Sequence, residues 1–298
     1  MSWKKRSTLP PFILLLACPL LFASSTTDLT LHDTARARDI PLKIYYPNDI
    51  SHAYPLIIFS HGFGGTGEGY RYLGEGWADA GYIVVLPTHH GSDRDALRIE
   101  RMSGAKEIGK AFAAQQQRTA DVGFIISSLQ DIERQVPELR DKIDGLRIAL
   151  GGHSMGAGTA LLVAGATAAP PNGTMQGFLN ERVKAVLAMS PQGVGEEGFE
   201  NPSWDHIEIP VMTMSGTQDG GVNGEPPSWR LQPYEHMHPG NKYQVTVNGA
   251  GHLSFAVGFR FHRCILRETT AFWDTYLKGD SEAKRHIRSF DACDVDSK

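Results

Sequence analysis

Long apolar runs, basic stretches and regular repeats are scarce in this sequence of 298 residues. The one apolar run, from about Pro10 to Ala23, is shorter than the roughly 20 residues needed to cross a bilayer, so we expect no stable membrane span. Lysine and arginine total 29 against 33 acidic residues, and no later segment forms a basic stripe, which argues against a nucleic-acid partner. Hydrophobic residues nevertheless make up 41% of the chain, which is enough to exclude disorder as its main state.

The first 25 residues have the pattern of a secretory signal peptide. A basic start precedes the apolar run and small residues follow it, so we predict cleavage after Ala23 or Ser25. A lipoprotein anchor at Cys18 is one alternative, but the bulky Leu16 argues against it. A signal anchor that stays uncleaved is the other alternative. The sequence therefore predicts residues 1–25 as a signal peptide and an exported mature chain, periplasmic or extracellular.

Removal of that segment leaves two of the three cysteines, Cys264 and Cys293. An even pair of cysteines in an exported protein is more often a disulfide than two free thiols. We therefore predict a bridge between these two residues. The loss of three basic residues with the signal peptide also lowers the formal net charge from −4 to −7.

Strand-like and helix-like segments alternate along residues 26–298. The strand-like segments are continuous apolar runs, which are typical of strands covered on both faces in a parallel sheet. The predicted strands are Ile40–Tyr46, Tyr54–Ser60, Gly81–Pro87, Leu146–Leu150, Val183–Met189, Val211–Ser215 and Tyr243–Val247. The predicted helices are Glu68–Ala80, Lys106 to about Asp131, Thr159–Ala166 and Glu268–Leu277. This alternation predicts a single α/β domain with a doubly wound, mostly parallel sheet and helices on both faces.

The strongest chemical signal is the motif Gly152-His153-Ser154-Met155-Gly156, in which a serine lies between two glycines. A predicted strand precedes the motif and a helix-forming segment follows it. In that context the glycines allow a sharp turn that exposes the serine at the carboxyl edge of the sheet. We therefore predict Ser154 as a nucleophile.

A second glycine-rich turn, Ser60–Gly65, directly follows the predicted strand Tyr54–Ser60. Acyl transfer needs backbone N–H donors directed at the oxyanion that develops on the carbonyl. We predict that Phe63 supplies one of these donors and that Met155, the residue after the nucleophile, supplies the other. The His61 side chain is interpreted as a structural support of the turn, and His153 as a structural neighbour of the serine that faces away.

The partners of the serine are predicted in later loops. Gly249-Ala250-Gly251-His252 follows the last predicted strand, so His252 is the candidate base. Asp219 lies just after the strand Val211–Ser215 and is the candidate acid, although an Asp-Gly pair also suits a plain turn. Asp205 and Glu208 are weaker candidates because they precede that strand.

Three further polar clusters have plainer interpretations. His89-His90 follows a predicted strand and either lines the pocket or forms a surface pair. His236 and His238 lack a third ligand at a suitable spacing, so we predict no metal site. Charges at helical spacing between Lys106 and Arg118 predict a solvated helix face.

Taken together, these segments resemble α/β-hydrolases of the serine-esterase branch, near dienelactone-hydrolase-like, platelet-activating-factor-acetylhydrolase-like and cutinase-type polyester hydrolase proteins. The resemblance covers about residues 40–280 and includes Ala271–Asp280. It implies the α/β-hydrolase fold, whose triad follows the chain order Ser, Asp, His found here. Dienelactone hydrolases carry a cysteine at the position of Ser154, so ordinary esters are favoured. The tryptophan that polyester hydrolases carry near Ser190-Pro191-Gln192 is missing, so plastic hydrolysis is not implied.

The sequence thus predicts a secreted serine hydrolase that cleaves small-molecule or polymeric carboxylic esters through an acyl-enzyme and requires no cofactor. The triad does not choose among acyl donors, so a lipase, a phospholipid acylhydrolase or a peptidase is an alternative. A catalytically silent binding domain on the same fold is another, against which the presence of all three triad residues argues.

Overall fold

The computed structural model describes residues 24–103 and 108–298. Most of the predicted signal peptide, and Lys106 at the start of a predicted helix, lie outside these residues, so export stays a prediction. No helix within the described ranges is long and apolar enough to cross a membrane.

The strands of the described residues are β1 (Ser25–Asp33), β2 (Arg38–Tyr46), β3 (Tyr54–Ser60), β4 (Ile83–Pro87), β5 (Ile143–His153), β6 (Thr167–Ala168), β7 (Gln176–Gly177), β8 (Val183–Met189), β9 (Val211–Gly216), β10 (Lys242–Val247) and β11 (Cys293–Ser297). The helices are α1 (Arg71–Asp79), α2 (Arg94–Ser103), α3 (Ile108–Ser127), α4 (Leu129–Gln135), α5 (Met155–Val163), α6 (Gln232–His236), α7 (His262–Leu277) and α8 (Ser281–Lys284).

Nine of these strands form one sheet in the order β1-β2-β4-β3-β5-β8-β9-β10-β11. The central pairs from β4 to β10 are parallel, whereas β1, β2 and β11 join antiparallel at the two edges. The prediction of a mostly parallel α/β sheet is therefore confirmed.

Apolar side chains cover both faces of this sheet. Every residue of β3 and of β4 is buried, as their unbroken apolar sequences predict. Helices α3, α4 and α5 contribute to the core on one face, and α1 and α7 to the core on the other. One layer of helices covers each face of the sheet. The carboxyl ends of the central strands form one edge on which loops can carry a site.

Two kinds of difference from the sequence prediction have clear causes. Strands β1 and β11 were not predicted, because these edge strands are half exposed and carry many polar residues. Helix α5 begins at Met155 rather than at Thr159 and runs through Gly156 and Gly158. A Cβ on Gly156 would overlap the carbonyl oxygen of Ser60, so close packing outweighs the low helix propensity of glycine.

A disulfide joins Cys264 on α7 to Cys293 at the start of β11, with the Cα atoms 5.9 Å apart. Both residues are buried. The predicted pairing is confirmed, and it links the last strand of the sheet to the helix that follows the loop of His252.

Candidate active site

Ser154 lies at the turn between β5 and α5. Its backbone is left-handed in φ, with φ 55° and ψ −122°, a conformation that costs a non-glycine residue about 1–3 kcal/mol. A Cβ on Gly152 would overlap the backbone of Gly156, so the turn requires glycine at that position. The motif therefore forms the sharp, strained turn that its sequence predicts, with the serine at the carboxyl end of β5.

His252 lies within hydrogen-bond distance of both other predicted triad residues. The Ser154 hydroxyl is 3.0 Å from His252 Nε2, and His252 Nδ1 is 2.9 Å from Asp219 Oδ1. Because an ionised Asp219 can only accept, the neutral ring carries its proton on Nδ1 and leaves Nε2 free to accept from the serine. This is the arrangement in which a histidine can remove a proton from a serine hydroxyl.

The loops that carry Asp219 and His252 meet because β9 and β10 are neighbouring parallel strands. The backbone N–H of Gln218 donates to the carbonyl of Ala250 over 2.9 Å. A Cβ on Gly216 would overlap that same carbonyl, which shows how closely the two loops pack. Positions 33 residues apart in sequence are thereby held together.

Asp219 is fully buried and is kept ionised by its neighbours. Burial alone would raise the pKa of this carboxyl, but hydrogen bonding with His252, the charge of Arg230 and a hydrogen bond from Ser190 lower it below its ordinary value. Arg230 Nε lies 2.6 Å from Asp219 Oδ1, and its other nitrogens donate to the carbonyls of Ser190, Pro191 and Gly220. The carboxylate is thus fixed in place and stays charged.

His153 supports the loop of the base. Its ring is buried, and burial lowers its pKa to about 3, so it is neutral. Its Nε2 donates to the carbonyl of His252 over 3.0 Å, and Nδ1 accepts from the Tyr70 hydroxyl over 2.7 Å. His153 therefore ties the loop of His252 to β5, a bracing role that goes beyond the predicted structural neighbour.

The segments that carry the two predicted oxyanion donors both adjoin Ser154. Met155 is the first residue of α5, where a backbone N–H has no partner within the helix. Phe63 lies in the turn after β3 and is 36% exposed. The turn abuts the serine, since a Cβ on Gly62 would lie 3.3 Å from Ser154 Cβ. The structure thus brings both segments to the nucleophile.

The polar clusters that the sequence analysis interpreted differently from the triad vary in how deeply their side chains are buried. His89 is buried, whereas His90 is half exposed and contacts Asp93, so the predicted surface pair is wrong at His89. Arg118 is fully buried, so the predicted solvated face is wrong at that position. Within the described residues no cluster of three or more potential metal ligands is found, and this holds for the surroundings of His236 and His238.

A buried carboxyl group lies behind α5. Gln115 Nε2 donates to the carbonyl of Met155 over 2.8 Å and to Glu197 Oε2 over 2.5 Å. Thr159 Oγ1 donates to Gln115 Oε1 over 2.7 Å. Burial raises the pKa of Glu197 to about 8, so this carboxyl is mostly protonated at neutral pH.

Several of these supporting residues were not found from the sequence. Arg230, Tyr70 and Ser190 carry no motif, and each reaches the site from a different loop. Their roles depend on tertiary contacts that no local pattern records.

Comparison with known proteins identifies the family of this chain. Residues 57–208 match the model of the family described as "Alpha/beta hydrolase family", and the chain belongs to that family. That stretch includes Ser154 and Phe63, while Asp219 and His252 follow it.

The individual proteins that this chain resembles share low sequence identity with it. Cutinase est1 of Thermobifida alba is 25% identical over 214 residues, 71% of this chain and 57% of that protein. Cutinase of Thermobifida fusca (strain YX) is 23% identical over the same share of this chain and 56% of its own. Platelet-activating factor acetylhydrolase of Canis lupus familiaris is 31% identical over 138 residues, 36% of this chain and 31% of its own. The chain thus spans less than two thirds of the length of these relatives.

Proposed function

We propose that this protein is an exported serine esterase that hydrolyses carboxylic esters through an acyl-enzyme on Ser154. The observation that carries the proposal is the continuous chain of contacts from Ser154 Oγ through the His252 ring to Asp219. The strained turn at Ser154 and the membership in the alpha/beta hydrolase family support it. The cutinase and acetylhydrolase relatives support an ester rather than another acyl donor.

In the proposed reaction His252 Nε2 takes the proton of Ser154 as its oxygen attacks the ester carbonyl. The N–H groups of Phe63 and Met155 bind the resulting oxyanion, and Asp219 stabilises the imidazolium. When the tetrahedral intermediate collapses, the C–O bond to the alcohol breaks and His252 returns the proton to that alcohol. Water then attacks the acyl-enzyme by the same steps, releasing the acid and restoring Ser154.

Apolar side chains around the triad favour an ester with apolar groups. Leu253, the residue after the base, is 65% exposed, and Phe63, in the turn that abuts the serine, is 36% exposed. Val222, three residues after Asp219, is 75% exposed. Exposed apolar residues that flank a polar centre are typical of a binding surface for an apolar ligand.

The test is Ser154→Ala, measured with a series of p-nitrophenyl esters of rising acyl chain length. We expect a loss of about 10⁶ in turnover, because the acyl-enzyme cannot form. Ser127→Ala, at an exposed serine on α3 whose hydroxyl donates to the backbone carbonyl of Gly123 in its own helix, is the matched control. A tenth of the wild-type activity in pure Ser154→Ala protein would refute the proposal.

The same ester series, run beside phospholipid and peptide substrates, separates the alternatives. A maximum at short soluble esters favours an esterase, and a rise toward long chains favours a lipase. Peptide cleavage without ester cleavage would contradict the assignment. N-terminal sequencing of the exported protein tests the predicted cleavage after Ala23 or Ser25.

A further inference from the structure

A network of buried polar side chains lies beneath the turn that carries Phe63. Its centre is Arg118 on α3, whose side chain is fully buried. Its Nη1 donates to the carbonyl of His61 over 2.7 Å and to the Ser60 hydroxyl over 3.1 Å, and its Nε donates to the Ser92 hydroxyl over 2.9 Å. The sequence gives no sign of this role, because the neighbouring charges predict a solvated helix face.

These contacts hold the turn on both sides of Phe63. His61, two residues before Phe63, is held directly by the guanidinium. Gly64, the residue after Phe63, donates its N–H to the carbonyl of Ser92 over 2.9 Å, and Ser92 is the residue whose hydroxyl Arg118 contacts. One side chain on α3 therefore fixes both ends of the segment that presents the Phe63 N–H.

The His61 ring continues the chain of contacts to the peptide unit itself. The N–H of His89 donates to His61 Nε2 over 3.0 Å, so Nε2 is unprotonated. Burial lowers the pKa of His61 well below its ordinary value, so the ring is neutral and its proton lies on Nδ1. Nδ1 then donates to the carbonyl of Gly62 over 2.7 Å. That carbonyl belongs to the same peptide unit as the Phe63 N–H and points away from it across a trans bond.

The hydrogen bonds around Arg118 fix most of the protons, although Arg118 Nη2 lies 3.2 Å from the protonated Nδ1 of His61, where neither nitrogen can accept. His89 donates from Nδ1 to Asp121 over 2.9 Å and accepts at Nε2 from the Ser60 hydroxyl over 2.9 Å. The Ser60 oxygen in turn accepts from Arg118. The groups that accept hydrogen bonds from the guanidinium are therefore one carbonyl and two hydroxyls, all uncharged. Burial lowers the pKa of Arg118 to about 10, so its charge persists at neutral pH.

We propose that Arg118, acting through His61, is a positioning residue that orients the Phe63 N–H toward the oxyanion. Arg118 donates to two residues of one turn and to the neighbouring Ser92, and hydrogen bonds from a single buried cation restrain that turn to one geometry. Its positive charge beneath the turn also favours negative charge on the other side. This inference rests on the proposed function, because only an oxyanion gives the orientation of that N–H a consequence.

The test compares Arg118→Gln with the wild type in two measurements. We expect kcat per active site to fall about 10- to 100-fold with KM changed less than about 2-fold, less than the roughly 10²–10³ lost with a whole donor. The second-order rate at which a fluorophosphonate labels Ser154 should fall in parallel, because its phosphoryl oxygen occupies the same position. Arg118→Lys should recover part of both rates, since it keeps the charge and one donor.

His61→Phe should reproduce the loss, because it removes the donor to the Gly62 carbonyl while keeping a ring of similar size. Arg182→Gln is the matched control, an arginine that donates to the carbonyl of Ile126 away from the site, and it should leave kcat per active site unchanged.

Unchanged kcat and labelling rates per active site in Arg118→Gln would overturn the inference, even if the melting temperature falls. If the glutamine variant does not fold, equal rates in Arg118→Lys and wild type would do the same. Failure of the wild type itself to react with the fluorophosphonate would refute the proposed function instead, so the two failures are distinguishable.

Discussion

Two buried arginines support the candidate active site from opposite sides, and their surroundings differ. Arg230 lies behind Asp219 and forms an ion pair with it, Nε to Oδ1 2.6 Å. Arg118 lies beneath the turn of Phe63, and the acceptors of its hydrogen bonds in the described part of the chain are a carbonyl and two hydroxyls, all uncharged. The first arginine neutralises a neighbouring charge, whereas the second leaves its charge uncompensated by those contacts.

The two histidines nearest these arginines show the same contrast. His252 is 27% exposed and lies between a carboxylate and the serine, where a proton can move along the chain of contacts. His61 is buried, neutral and bonded at both nitrogens to backbone groups, so its proton is fixed. The partners of a histidine beside a glycine-rich turn therefore decide whether it can act as a base or serves only as a structural support.

Among the residues that support the nucleophile, the largest effect should come from Asp219→Asn. We expect kcat to fall about 10⁴-fold, because the amide no longer holds the His252 proton on Nδ1. Steady-state kinetics with a p-nitrophenyl ester measure it. Asp205→Asn, at the exposed aspartate that sequence reasoning kept as a weaker candidate, is the control. A larger loss in Asp205→Asn than in Asp219→Asn would refute the assignment of the acid.

Arg230→Met should lower the free energy of unfolding by about 3–5 kcal/mol, because it leaves the buried Asp219 without its ion pair. The pKa of Asp219 is lowered in the folded state, so the stabilisation is present above its ordinary value of 3.8 and is lost as pH falls below it. Urea denaturation at pH 7 and pH 3 should therefore show a difference from wild type that shrinks in acid.

Arg118→Met sharpens this comparison, since it breaks no ion pair in the described contacts of Arg118. We expect it to destabilise the protein less than Arg230→Met. An equal or larger loss in Arg118→Met would contradict the distinction between the two arginines.

Removing the disulfide perturbs the part of the molecule that carries His252 and not the turn of Phe63. Cys264 lies twelve residues after His252, on the helix that follows the loop of the base. Closing a separation of 29 residues restricts the unfolded chain by about 3–4 kcal/mol in the entropy model. Cys293→Ser should lower the melting temperature by several degrees and shorten the active half-life on warming, with kcat in the cold nearly unchanged. Two titratable thiols in the unreduced, denatured protein would contradict the bridge.

The last effect depends on pH and concerns Glu197, the buried carboxyl behind α5. Its folded pKa is raised to about 8, so its contribution to stability is complete below pH 4.5 and declines as pH rises toward 8. Glu197→Gln keeps the shape and removes this decline, which has a slope of at most about 1.4 kcal/mol per pH unit. Melting temperatures of variant and wild type at pH 5, 7 and 9 should diverge with rising pH. Parallel curves would show that Glu197 ionises as freely in the folded state as in the unfolded chain.

The sequence alone determined the class of fold and the positions of the candidate triad. The largely apolar runs of β3, β4 and β8 can be recognised in the sequence because a strand buried on both faces needs apolar residues at most positions. Ser154 can be recognised in the sequence because its strained turn requires glycines at fixed offsets. Asp219 and His252 can be recognised because they follow successive strands of a parallel sheet. Such requirements act within a few residues, so a local pattern records them.

Tertiary structure decided which polar groups support those residues and in what state of charge. Arg118, Arg230 and Tyr70 reach the site from separate elements, and nothing beside them in sequence indicates their partners. The predicted solvated face failed at Arg118 because charge spacing on a helix does not reveal a polar network that satisfies a buried guanidinium. A buried charge or a fixed proton depends on acceptors brought from distant positions, and only the folded chain brings them together.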